Sequence, residues 1–165
     1  MLVLTPPNDE AARFVANSKN VNQGEGMKKV LVIGGAGYCG SVLVPQLLEE
    51  GWHVTIFDIL VWYGSDHLPK DNPKLRVIQG DIRDTAGVAE ACAGQDAVLH
   101  LACISNDASF ELDERLSTSV NLESFEPLVI AAKKAGVKRF VFASSSSVYG
   151  VSDLPDVTED HPLVP

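Results

Sequence analysis

Five short runs of β-branched and aliphatic residues alternate with longer stretches of helical periodicity, and that alternation leaves the chain few folds. The runs are KVLVIGG from Lys29, HVTIFD from His53, LRVIQGD from Leu75, DAVLHLA from Asp96 and RFVFAS from Arg139. Each is nearly continuous in apolar residues, as expected of strands buried on both faces of a parallel sheet. Strand–helix alternation of this kind covers such a sheet with helices on either side. Because crossovers between parallel strands are right-handed, the leading topology is a doubly wound parallel sheet, an α/β fold of the dinucleotide-binding (Rossmann) type.

The intervening segments read as helices. YCGSVLVPQLLEEG spaces Val42, Leu43, Leu47 and Leu48 at helical intervals and ends in Gly51, a C-terminal stop; Pro45 is expected within its first turns. TAGVAEACAG from Thr85 is a short helix. Residues 107–136 form a long helix that ends in LVIAAKKAG, with lysines in the last turn and Gly136 after it. Pro127 should kink or split that helix.

At 165 residues the chain can bury one core. Its net charge of −9 opposes binding to a phosphate backbone, so no nucleic-acid partner is expected and a bound nucleotide would be held by backbone amides. No apolar run reaches the roughly 18–20 residues of a membrane span. Cys39, Cys92 and Cys103 are odd in number and widely spaced, which suggests buried thiols in a reducing cytoplasm. These cysteines and the scattered His53, His67, His100 and His161 form no metal-ligand pattern, so no metal is expected. Residues 1–26 are polar, contain Pro6 and Pro7, and precede a second methionine, Met27. They are read as a poorly ordered extension before a domain spanning 27–165.

GGAGYCG places Gly34, Gly37 and Gly40 in the pattern G-x-x-G-x-x-G between the first strand and the first helix. Such a turn needs glycine for its backbone at Gly34, for access to a pyrophosphate at Gly37, and for close helix packing at Gly40. The first-turn amides, those of Tyr38 and Cys39 among them, then face the phosphates. Asp58 closes the second strand, where a carboxylate accepts ribose hydroxyls and repels a 2′-phosphate; its other reading is a cap on the following loop. No arginine stands between residues 51 and 75, so NAD is expected rather than NADP.

The glycine spacing, GDIRD at 80–84, HLA at 100–102, VN at 120–121 and SSSSVYG at 144–150 occur in order over residues 28–162. Together they resemble the extended short-chain dehydrogenase/reductases, the NAD-dependent nucleotide-sugar epimerase/dehydratase group. That resemblance implies that Asp81 and Ile82 flank the adenine ring, Asp81 bonding its amine. It implies that Leu101 and Ala102 line the cofactor and that Asn121 supports the site from the long helix. Ser105 and Asn106, with Ser146, would form the substrate rim against a nucleotide sugar. By family analogy the 107–136 helix is a homodimer surface. Asp84 reads independently as a helix N-cap.

Counting four back from Tyr149, the resemblance makes Ser145 the catalytic hydroxyl, holding the sugar oxygen that exchanges hydride. The two following positions, Asp and Glu in the 4,6-dehydratases, are Ser146 and Ser147, which favours epimerisation or simple oxidoreduction over dehydration. The family's base, the tyrosine of Tyr-x-x-x-Lys, has no match: Tyr38, Tyr63 and Tyr149 each lack lysine four residues on. The chain is therefore expected to be the N-terminal, cofactor-binding portion of a longer enzyme, with a non-catalytic NAD-binding module as the alternative.

Overall fold

The computed structural model describes residues 28–62, 64–69, 71–105, 111–152 and 156–165. All five expected strands form: β1 Lys29–Ile33, β2 His53–Asp58, β3 Leu75–Gln79, β4 Ala97–His100 and β5 Arg139–Phe142. Their order in the sheet is β3-β2-β1-β4-β5, and β1 runs parallel to both β2 and β4, as β2 does to β3. The order reverses at β1, so the crevice at a doubly wound sheet's switch point opens between the carboxyl ends of β1 and β4. Two compact units divide the chain, residues 22–140 and a second that includes 141–165.

β1, β2 and β4 are buried almost throughout, and their alternating side chains feed two apolar layers. Leu31, Ile33, Phe57 and Val98 join Val88, Ala91 and Cys92 of α2 (Thr85–Cys92) and Leu128 and Ala132 of α4 (Phe125–Lys134) in one cluster. The intervening Val30, Val32, Val54 and Ile56 are also buried. At the amino ends of the strands, the Asp96 carboxylate accepts from Lys29 N at 3.0 Å and Lys138 Nζ at 3.2 Å. Chiefly through the Lys29 amide, these contacts hold its carboxyl below the usual range.

α1 (Tyr38–Glu49) buries Gly40, Val44, Leu47 and Leu48, whereas Val42 is exposed. The expected stripe is therefore turned toward Val44. Pro45 lies in the helix interior rather than in its first turns. It leaves Ser41 O without its intrahelical N–H, on an exposed stretch where water can reach it. Gly51 stops the helix as expected: it takes φ +88°, and Gly51 N and Trp52 N donate to Leu48 O and Leu47 O at 3.0 and 2.9 Å.

The long helical segment is split, as Pro127 suggested. α3 (Glu114–Thr118) passes into a wide π turn over Ser119–Glu123 and then into α4. Ser124 N donates to Ser119 O at 3.2 Å, and Ser124 Oγ to Val120 O at 2.6 Å. Proline lacks the N–H that Glu123 O would accept and crowds that carbonyl; the widened turn just upstream relieves both effects. β3 departs from the pattern of its neighbours, with Val77 38% exposed. It lies at the sheet edge, and among the described residues no helix separates it from β2. No helix among the described residues is long and apolar enough to cross a membrane.

Candidate dinucleotide-binding site

The carboxyl end of β1 leads directly into the glycine turn. Gly34 adopts φ +78°, and a Cβ there would lie 2.6 Å from Ala102 N and 2.7 Å from Ala102 Cα. Only a residue without a side chain lets the segment after β4 close on the turn. Leu101 N donates to Ile33 O at 2.8 Å, so Leu101 and Ala102 are drawn alongside it. Gly37 is the N-cap of α1 and offers no side-chain cap to the first-turn amides. Tyr38 and Cys39 stand exposed on that turn. At Gly40 a Cβ would run into the Gly35 backbone, so the tight approach is to the turn itself.

Asp58 reaches across to this turn. Its Oδ2 accepts from Ala36 N at 3.0 Å and its Oδ1 from Leu60 N at 2.8 Å. The cap on the following loop is thus present, together with a tie to the glycine turn that sequence spacing did not reveal. Each carboxylate oxygen keeps acceptor capacity beyond these bonds. A bare helix N-terminus, a turn stripped of side chains and a carboxylate beside it are what a dinucleotide's phosphates and ribose require, so the residues fit NAD.

Next to Asp58, Gly80 N donates to Asp58 O at 2.9 Å and brings the 80–84 loop to the same end of the sheet. Asp84 caps α2 through Ala86 N at 3.1 Å, as expected. Ile82 is only 8% exposed and belongs to the core cluster, so its side chain packs into the core beneath that end of the sheet. Asp81 is gripped by Arg83: Oδ1 accepts from Arg83 N and Nε, both at 2.9 Å, and Oδ2 from Nη2 at 2.5 Å. This pairing holds the Asp81 carboxyl below the usual range. GDIRD contains both partners, and the Asp-x-Arg spacing is the signal that would have found Arg83.

Asn121 sits in the π turn, where its amide clamps Ile104 from both sides. Ile104 N donates to Oδ1 at 2.8 Å and Nδ2 donates to Ile104 O at 2.9 Å. Asn121 thereby fixes the segment that follows Leu101 and Ala102, leaving Ser105 exposed. Asn106 lies outside the described residues. His100 is a core residue, stacked on Phe125 with ring centroids 6.0 Å apart; burial lowers its pKa to about 4 and keeps it neutral. No cluster of three or more metal-ligating side chains occurs among the described residues.

Ser145 belongs to the second unit. It is the N-cap of a short 3-10 turn over Ser146–Tyr149, where its Oγ accepts from Ser147 N at 3.1 Å and lies 3.1 Å from Ser147 Oγ. Ser145 and Ser146 are exposed, whereas Tyr149 is buried with its ring in a T-shaped contact with His161. Val164 N donates to Val148 O at 3.1 Å, closing the end of the chain on this turn.

Comparison with known proteins agrees with this geometry. Residues 30–165 match the NAD dependent epimerase/dehydratase family. The chain is 38% identical over 139 residues to a UDP-glucose 4-epimerase of Lactobacillus helveticus, covering 83% of this chain and 41% of that protein. It is 41% identical over 140 residues to a 3-beta-hydroxysteroid dehydrogenase of Mycolicibacterium neoaurum, covering 81% and 37%. A dTDP-glucose 4,6-dehydratase structure from Streptomyces venezuelae, with NAD bound, superposes with a TM-score of 0.75 at 36% identity, over 83% of this chain and 45% of that one. The chain thus spans less than half the length of these relatives. With a parallel Rossmann-type sheet, the glycine turn and Asp58 all in place, the chain belongs to the NAD dependent epimerase/dehydratase family.

Proposed function

We propose that this chain is the cofactor-binding portion of an NAD-dependent enzyme of the epimerase type, acting at a hydroxyl of a nucleotide-linked sugar. The observation that carries the reading is the Asp58 carboxylate, tied to Ala36 N in the glycine turn and open to further donors. Bound NAD would supply reversible hydride acceptance. Gly34 lets the turn close against Ala102, Gly37 clears the backbone for the pyrophosphate, the first turn of α1 offers its amides, and Asp58 accepts the adenosine ribose hydroxyls. Asp81 holds the adenine amine, Leu101 and Ala102 line the cofactor, and Asn121 steadies that lining through Ile104. Ser145 is assigned to the substrate oxygen, with Ser105, Asn106 and Ser146 on the substrate rim. A nucleotide sugar is the substrate class of the epimerase and dehydratase relatives by name.

The similarity to a steroid dehydrogenase favours a second reading, a simple oxidoreductase of the same family. Both readings share the cofactor. Exposed Leu112, Leu116, Leu122 and Ile130 support a homodimer through the helical segment between Leu112 and Lys134. Free Cys39, Cys92 and Cys103 suit a reducing cytoplasm.

The test is calorimetric titration of NAD and NADP against the protein and its Asp58→Ala variant. NAD should bind more tightly than NADP, and the substitution should weaken NAD by roughly tenfold while affecting NADP less. Equal losses for the two cofactors would remove the assignment of Asp58.

A further inference from the structure

We infer that Arg83 is a positioning residue for purine recognition: it fixes Asp81 as a hydrogen-bond acceptor, so that a 6-amino purine is selected over a 6-oxo purine. The inference rests on the proposed NAD site. An ionised carboxylate has about four acceptor positions and no proton to donate. Arg83 N and Nε, both at 2.9 Å, occupy Oδ1; Nη2 occupies one side of Oδ2, with Nε a weaker second donor at 3.1 Å. The side of Oδ2 turned away from the guanidinium remains for a ligand.

Both side chains are partly exposed, 42% for Arg83 and 31% for Asp81, so a ligand can reach the pair. The guanidinium is anchored on its far side as well. Its Nη1 donates to Ser119 Oγ at 3.4 Å, and that hydroxyl directs its own proton to Leu116 O at 2.7 Å. Ser119 thus presents a lone pair to Arg83, and the fork is held between the loop after β3 and the start of the π turn. An exocyclic amine donates to the carboxylate so presented. A 6-oxo group would set lone pair against lone pair, a repulsive element that rejects the wrong base. Losing the fork frees the carboxylate to rotate and takes away the donors that fix which of its lone pairs face a ligand.

The experiment titrates NAD and its deaminated analogue, nicotinamide hypoxanthine dinucleotide, against the protein, Arg83→Gln and Arg83→Lys, with circular dichroism to confirm folding. The unsubstituted protein should favour NAD by roughly tenfold or more. Arg83→Gln should bring the ratio to within about threefold, mainly by weakening NAD, and Arg83→Lys should fall between, because an ammonium is a point charge without the fork. A ratio unchanged in Arg83→Gln, or in Arg83→Lys should the first variant not fold, would overturn the inference. So would equal binding of both dinucleotides by the unsubstituted protein, which leaves the NAD site standing. Binding of neither dinucleotide would take the cofactor reading down with it.

Discussion

At the end of β1 the chain leaves the strand through a glycine turn, and at the end of β5 it leaves through a run of four serines. The first exit is dictated by exclusion: Gly34 takes a left-handed φ, and any Cβ would overlap the backbone of Ala102. The second exit is dictated by partnership, since the Ser145 hydroxyl is directed at Ser147. A hydroxyl used in this way can cap a turn and can also meet a ligand, whereas a glycine at positive φ has one evident reason to be there. The steric demand at Gly34 is therefore legible in sequence, whereas the partner that the Ser145 hydroxyl takes waits for the fold.

The sharpest way to break this contrast is Gly34→Ala. The added methyl combines an unfavourable φ with a backbone overlap, and the unfolding free energy should fall by about 2–4 kcal/mol in urea denaturation. A variant of unchanged stability would show that the turn yields, and that its glycine is a preference rather than a requirement.

Asn121→Ala tests a partnership within the larger unit. Removing both bonds to Ile104 should cost about 1–3 kcal/mol and leave Ile104 N without its part-buried acceptor. Amide exchange at Ile104 should quicken well beyond that of β1. If exchange there were unaltered, backbone packing alone would hold the segment.

The smallest effect is expected at Ser145→Ala. Loss of the cap on Ser147 N should lower stability by about 0.5–1 kcal/mol and leave the dissociation constant for NAD within error. A clear loss of NAD affinity would make Ser145 part of the cofactor site and erase the distinction between the two exits.

The same division separates what the sequence foretold from what it did not. Strands such as β2 and β4 were legible because their runs are apolar on both faces and bounded by polar or glycine residues. Gly51 and Asp84 were legible as helix punctuation, and the fold confirms both. Val42 was misjudged because helical spacing defines a stripe without fixing its phase; burial of Val44, Leu47 and Leu48 sets that phase. Pro127 announced a disruption, but its form as a π turn depends on Ser119 and Ser124 meeting five residues apart. At the site, the glycines and Asp58 were found by spacing. The tie from Asp58 to Ala36 and the clamp of Asn121 on Ile104 were not, because each joins segments far apart in sequence.

The edge position of β3 carries a consequence for the order in which this protein would come apart. Among the described residues β3 pairs with β2 alone and is less buried than the central strands, so its local opening should need less free energy than opening of the centre. Asp81 stands two residues past the end of that strand, while Asp58 ends the strand beside it. A ligand that bridges the two carboxylates would act as a clasp on the frailest margin of the sheet, and its affinity would include the free energy of keeping that margin shut.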